Sequence, residues 1–234
     1  MTRKLVESAT YAFVASLTAV ALMGMTYFMV EPAITHGQEA TSNEFTIQQT
    51  ITDENSFQVV GDVVMNGPIN GVTGGNATGT TQFVVLSNNS AGYTVEIDFE
   101  YGVGQNEAMV GDESGSEAIR DYGGDAAGPE PSANFTASSA AQFAYTVVAS
   151  SSTHVDPSFL SSGGLCNVGL GSQEPDTCWK APQDTGYQII DTSVATPQGA
   201  TSTLQFKVNV PNAATPTPLA ETYTATATLS LFTK

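Results

Sequence analysis

The chain has 234 residues, enough for one or two domains with a real core, and 41% of them are apolar, which excludes a wholly disordered chain. Only 12% are charged, with 6 Lys+Arg against 23 Asp+Glu and a formal net charge of −17. Nucleic acid and anionic lipid surfaces are thereby excluded as partners, because both need clustered Lys and Arg, and two histidines with two cysteines leave little material for a zinc or haem centre, so no cofactor is expected.

Arg3 and Lys4 precede residues 8–30, an uncharged stretch rich in Ala, Val, Leu, Met and Phe. Its length suits a spanning helix, while Thr35, Gly37 and Ala40 offer small residues for a signal peptidase. Residues 1–40 therefore read as a signal peptide or a membrane anchor, with cleavage near Gly37 or Ala40 favoured. A type IV prepilin leader fits poorly, since no glycine precedes a cut ahead of Glu7. In either main reading Arg3 and Lys4 stay in the cytoplasm and everything after residue 31 lies outside, so the expected location is extracellular, at the cell surface. The membrane is a partner only through residues 8–30, and only if they are retained. Beyond Ala40 four bases face twenty acids, a net charge of −16 that favours solubility and says nothing of the fold.

Residues 41–52 form an N-terminal extension, TSNEFTIQQTIT, with the alternation of a β-strand. Phe45, Ile47, Gln49 and Ile51 share one face, and Thr46, Gln48, Thr50 and Thr52 the other. Paired within its own domain it is a first strand. Paired with another chain it is a polymerisation arm, in which burying three large apolar side chains contributes roughly 5–9 kcal/mol and a backbone ladder fixes the register.

Residues 53–234 show almost no helical periodicity. Short runs alternate with period two and are separated by Gly, Asn, Ser and Pro, which predicts an all-β fold, an antiparallel β-sandwich behind an N-terminal hydrophobic helix. Strands are predicted at 57–65, 80–87, 93–101, 143–149, 204–210 and 222–232. Tyr93, Val95, Ile97, Phe99 and Tyr101 point to a core, and Thr94, Glu96, Asp98 and Glu100 to water. Residues 88–92 have the turn chemistry to join 80–87 and 93–101 as a hairpin. Pro211, Pro216 and Pro218 mark a crossover before the last strand. Residues 102–133, rich in Gly, Asp and Glu, read as an acidic loop insertion with too little apolar mass for its own core.

Cys166 and Cys178 are the only cysteines, close together in an exported loop, and predict a disulfide in preference to a reactive thiol pair. Trp179 beside them is expected to pack over the sulfurs, with sugar stacking as the rival role. The many acids of residues 96–130 make Asp112, Glu113 and Asp121 calcium candidates, although no EF-hand spacing occurs and a solvated face is the plainer reading. His154 and Asp156 among serines hint at an acyl-transfer triad, but no Gly-x-Ser-x-Gly elbow accompanies them, and no enzyme is expected. The Gly-rich run 74–79 lacks the lysine of a phosphate loop and reads as a turn. Asn76, Asn88 and Asn134 head glycosylation sequons in predicted loops.

The export segment, the FTIQQTI extension, the NNSAGYTVEI run (88–97) and the closing ETYTATATLSL strand (221–231) together resemble secreted fibre and pilin subunits. The N-terminal arrangement resembles TasA-type matrix fibres and archaeal bundling pili. The closing strand is similar to the end of spore-coat/fimbrial domains of the chaperone–usher kind, whose N-terminal disulfide this chain lacks. The resemblance covers most of residues 41–234 as a pattern. It implies jelly-roll subunits joined by a donor strand, with Phe45, Ile47 and Ile51 inserted into a neighbour's groove and the chain itself, head to tail, as the partner in a surface filament. A surface adhesin or glycan-binding module is the alternative.

Overall fold

The computed structural model describes residues 2–30, 46–102, 104, 106–123, 131, 135–137 and 139–234. They divide into two compact units, Met1–Thr50 and Ile51–Lys234.

The first unit holds one helix, α1 (Thr2–Val30). Its stretch Glu7–Met25 has a mean hydropathy of 1.5 and is long and apolar enough to cross a membrane. Tyr11, Phe13, Val14, Leu17, Val20 and Leu22 are all exposed, so the helix is apolar around its circumference, as suits lipid and not the flank of a soluble core. The hydroxyls that dilute it turn back on the helix: Ser16 Oγ donates to the Phe13 carbonyl and Thr18 Oγ1 to that of Val14, each at 2.9 Å. Both hydroxyls are therefore satisfied within the helix itself. Such a helix is compatible with a signal sequence. After the undescribed residues 31–45, residues 46–50 belong to no strand and are exposed.

The second unit is mostly β. Its strands are β1 (Asn55–Val60), β2 (Gly75–Ser87), β3 (Tyr93–Glu100), β4 (Met109–Gly111), β5 (Ala118–Asp121), β6 (Gln142–Ala149), β7 (Tyr187–Thr192), β8 (Thr196–Val210), β9 (Tyr223–Thr224) and β10 (Thr226–Thr233), with one 3-10 turn at Pro157–Phe159. They form a seven-stranded sheet in the order β1-β2-β8-β6-β5-β4-β9 and a three-stranded sheet in the order β10-β3-β7. The sheets curl, with register shifts at Val85/Ser87 and Val95/Glu96. The β5–β6 ladder is parallel, against the all-antiparallel expectation. The chain between Asp121 and Gln142 supplies the long return that a parallel pair needs.

The two sheets share one core. Val95, Ile97 and Phe99 of β3, Phe143, Tyr145 and Val147 of β6, and Leu204, Phe206 and Val208 of β8 are buried together. Phe99 links the layers: its ring lies 6.1 Å from Phe143, edge-on, and 5.3 Å from Tyr145. Each such side chain contributes roughly 1.5–3 kcal/mol through burial. The opposite face of β6 and the neighbouring chain make a second, smaller cluster from Tyr122, Phe135, Ala144 and Trp179.

Three expectations need correction. Strands β2 and β3 are not a hairpin, because they belong to different sheets, and turn 88–92 carries the chain from one layer to the other. Asn89, buried in that turn, accepts from Ala91 N–H at 2.8 Å and donates to the Lys234 carbonyl at 2.9 Å, which ties the crossing to the end of the chain. The closing run is not one strand either. It breaks at Ala225, so that β9 pairs with β4 in the wide sheet and β10 with β3 in the narrow one. The expected strand 57–65 ends at Val60, and Gly61 follows with φ 64°. Of the expected insertion 102–133, the described part includes β4 and β5, whose Met109 and Ile119 enter the main core. The scattered apolar residues there are the inward positions of two short strands.

Gly92 has φ 88°, and a Cβ on it would overlap the Thr192 carbonyl. Gly92→Ala is therefore expected to lower unfolding free energy by roughly 2–4 kcal/mol, combining left-handed strain with overpacking; a chemical-denaturation curve matching that of the unaltered chain would contradict the assignment.

Candidate functional site

An apolar groove of about 930 Å³ opens between residues 61–65 and the chain from Thr222 to Leu229. Phe99, Met109, Phe143, Leu204 and Phe206 line it, and these are core side chains of both sheets. The consecutive residues Thr226–Leu229 line the other side, so the groove runs along the edge of β10 and does not lie on one of its faces. Among the described residues that edge is free in the sheet: β10 is terminal and pairs there only with β3. Asp62 is the one charged residue among those lining the groove, in a molecule of net charge −17.

The groove exists because the sheets differ in width. At about 4.8 Å per strand, seven strands span roughly 30 Å and three roughly 10 Å. Val63, Met65 and Ile69 lie partly buried against the core and shield part of the surplus inner face. Asn66 holds this segment down, donating its N–H to the Thr78 carbonyl at 2.8 Å and accepting from Thr78 N–H at 2.5 Å. Val64 is 88% exposed at the rim.

Of the extension residues, Phe45 lies outside the described residues. Ile47 and Ile51 are 84% and 83% exposed, and Gln49 is exposed with its amide turned to the Thr50 carbonyl at 2.9 Å. Residues 46–54 belong to no strand. Asn88 holds the chain just beyond, donating from Nδ2 to the Thr52 carbonyl at 3.0 Å and accepting from Glu54 N–H at 2.6 Å.

Cys166 and Cys178 form the expected disulfide, with Cα atoms 5.5 Å apart. Trp179 does not pack over it. Cys178, in a bend with φ 56°, joins the main core, while Trp179 after it enters the second cluster, 5.6 Å from Phe135 and capped by Lys207 Nζ at 5.2 Å. At 1% exposure Trp179 offers no platform for a sugar.

The calcium candidates are not brought together. Asp112 and Glu113 sit in the exposed turn after β4, where Asp112 accepts from Thr224 Oγ1 at 3.1 Å. Asp121, at the far end of β5, accepts from Ala108 N–H at 3.2 Å. Burial, then the charge and hydrogen bond of Asp121, push the neighbouring Tyr101 phenol up to about 12. Among the described residues no three His, Cys, Asp or Glu side chains gather as a metal cluster.

His154 and Asp156 do not build a triad. Asp156 caps the 3-10 turn through Ser158 N–H at 2.9 Å, and its second oxygen accepts from Gln188 Nε2 at 2.9 Å. Both oxygens are thus engaged in structure. Asn76 is exposed on strand β2 and not in a loop, Asn88 is exposed in the sheet-crossing turn, and Asn134 lies outside the described residues.

Sequence reasoning found the extension but not the groove. Its lining comes from strands far apart in the chain, and the one local signal was the closing strand's alternation of Thr with apolar residues. Comparison with protein-family models, curated proteins and solved structures returned no match.

Two outcomes follow from these contacts. Glu221 accepts from the N–H groups of Glu113 and Ser114, both at 2.9 Å, and from Ser114 Oγ at 2.8 Å. The Ser114 bonds, with help from Glu113, hold its pKa below the ordinary 4.5. Its folded value being the lower one, the stabilisation is complete above 4.5 and lost as pH falls through the folded pKa. An NMR titration of the Glu113 and Ser114 amides should show a midpoint below 4.5, and a midpoint above it would count against the cradle. Replacing both Cys166 and Cys178 by Ser is expected to cost about 3 kcal/mol in urea unfolding through loop entropy, whereas an unchanged midpoint would deny the bridge a structural role.

Proposed function

We propose that this chain is an exported structural subunit: a β-sandwich of the jelly-roll kind that polymerises head to tail by inter-subunit β-strand addition and forms a filament at the cell surface. The observation that carries this reading is the apolar groove, with Asp62 its one charged lining residue, beside the free β10 edge. Its complement is the uncharged part of the alternating extension, residues 46–52, whose Ile47 and Ile51 are exposed on their own chain.

The chemistry of the two parts agrees. A strand laid in the groove places Ile47 and Ile51 against its rim, where Val64 is 88% exposed and Val63, Met65 and Leu229 are only partly buried, and each buried Ile contributes roughly 1.5–3 kcal/mol. The contact joins two different surfaces of the same molecule, so it does not close on itself and grows a fibre. The apolar helix and the disulfide support export. Those two features fit an extracellular location, where neither a cofactor nor a catalytic centre is required for the proposed task.

Electron microscopy of the purified protein is expected to show filaments. Deleting residues 46–52 should leave soluble subunits, and Ile47→Ser with Ile51→Ser should weaken assembly by at least about tenfold, since a loss of roughly 1.4 kcal/mol already gives that factor. Filaments of unchanged yield without residues 46–52 would refute strand addition.

A further inference from the structure

We infer that the strand added from a second copy, residues 46–52, makes its ladder with the outward backbone groups of Ala227, Leu229 and Leu231, which makes the outer edge of β10 the polymerisation edge. This rests on the strand-addition reading above and specifies its contact.

The parity follows from hydrogen bonds at both ends of the narrow sheet. The β10–β3 register sets Thr233 against Tyr93, and one step further Lys234 N–H donates to the Gly92 carbonyl at 3.3 Å. In an antiparallel ladder the bonded pairs alternate. The even-numbered residues of β10 therefore bond to β3, while residues 227, 229 and 231 turn their N–H and C=O groups to the free side. The far edge of β3 agrees, because Phe99 N–H donates to the Gln183 carbonyl at 2.8 Å, away from β10.

The other sheet edges suit this role less well. The outer side of β7 is in use: Asp191 N–H donates to the His154 carbonyl at 2.9 Å, and Asp156 N–H to the Ile189 carbonyl at 3.0 Å. Strand β9 has two residues, too few for a ladder. The remaining edge, β1, does not line the groove. The first half of the β10 edge, Thr226–Leu229, lies along the groove and the rest continues it, and its eight residues match an extension of seven, roughly 23–24 Å when extended. The side-chain pattern matches too. Leu229 and Leu231 are partly buried against the core while Thr226 and Thr228 are exposed, so a strand beside them directs Ile47, Gln49 and Ile51 inward and Thr46, Gln48 and Thr50 to water.

The test uses the full chain carrying Ala227→Pro. Proline there deletes an outward N–H and spares the bonds to β3, so the thermal melt should stay native while filament yield falls about tenfold or more. In parallel, chains with Thr50→Cys are mixed with chains carrying Thr226→Cys or Thr228→Cys, and a disulfide between the two copies is expected. If Ala227→Pro does not fold, this cross-link decides. Wild-type filament yield from a folded Ala227→Pro chain, or cross-linking of Thr50→Cys to Gln58→Cys on β1 instead, overturns the edge assignment while strand addition stands. Filaments from a chain lacking residues 46–52 would overturn both.

Discussion

The structure turns on a mismatch of area. Seven strands present one inner face, three strands cover it, and a single core has to be shared between them. Phe99, Phe143 and Tyr145 hold the centre dry, but the surplus inner face must be covered by something other than the narrow sheet. The irregular segment 61–69 covers part of it, and the groove is what remains. An apolar groove flanked by a free strand edge combines two unmet demands, apolar surface and unpaired backbone groups, and a β-strand answers both at once.

The sheet crossings make this arrangement possible. The turn at 88–92 and the break at Ala225 each move the chain from one sheet to the other, so β2 and β3, and β9 and β10, are neighbours in sequence but not in a sheet. Because Asn89 binds the Lys234 carbonyl, the crossing and the end of β10 are held together. The groove wall thus has one firm end near Gly92. Its other end passes through Glu221, whose carboxylate is anchored on the turn after β4. The free edge is held at both ends by contacts outside the groove.

Charge is distributed to the same effect. A molecule of net charge −17 repels its own copies, yet neither residues 46–52 nor the groove, apart from Asp62, carries a charge. Acids stand close by: Glu96, Asp98 and Glu100 of β3 face Ser230, Thr228 and Thr226 of β10, two strand spacings or roughly 10 Å from a strand added at its free side, and Asp112 accepts from Thr224 at the groove's end. With a Debye length of about 8 Å at physiological salt, exposed charges beyond that distance oppose association only weakly. On the proposed strand addition, repulsion acts against nonspecific clumping while the one added strand escapes most of it.

Local pattern alone determined the apolar helix, the β class, the in-and-out alternation of residues 93–100 and the cysteine pair, because each of these depends on residues near one another in sequence. Tertiary structure alone decided that residues 80–87 and 93–101 are not a hairpin, that the closing strand is shared between two sheets, that β5 and β6 run parallel, that Trp179 faces away from the disulfide, and that Asp112 and Asp121 lie at opposite ends of a short hairpin. The groove belongs to this second group, since Met109, Phe143, Leu204 and Leu229 meet only after loops of very different length have closed. Periodicity tells which face of a strand is apolar, but which sheet receives that strand, and how much of the face stays uncovered, depends on the competition among all strands for one core.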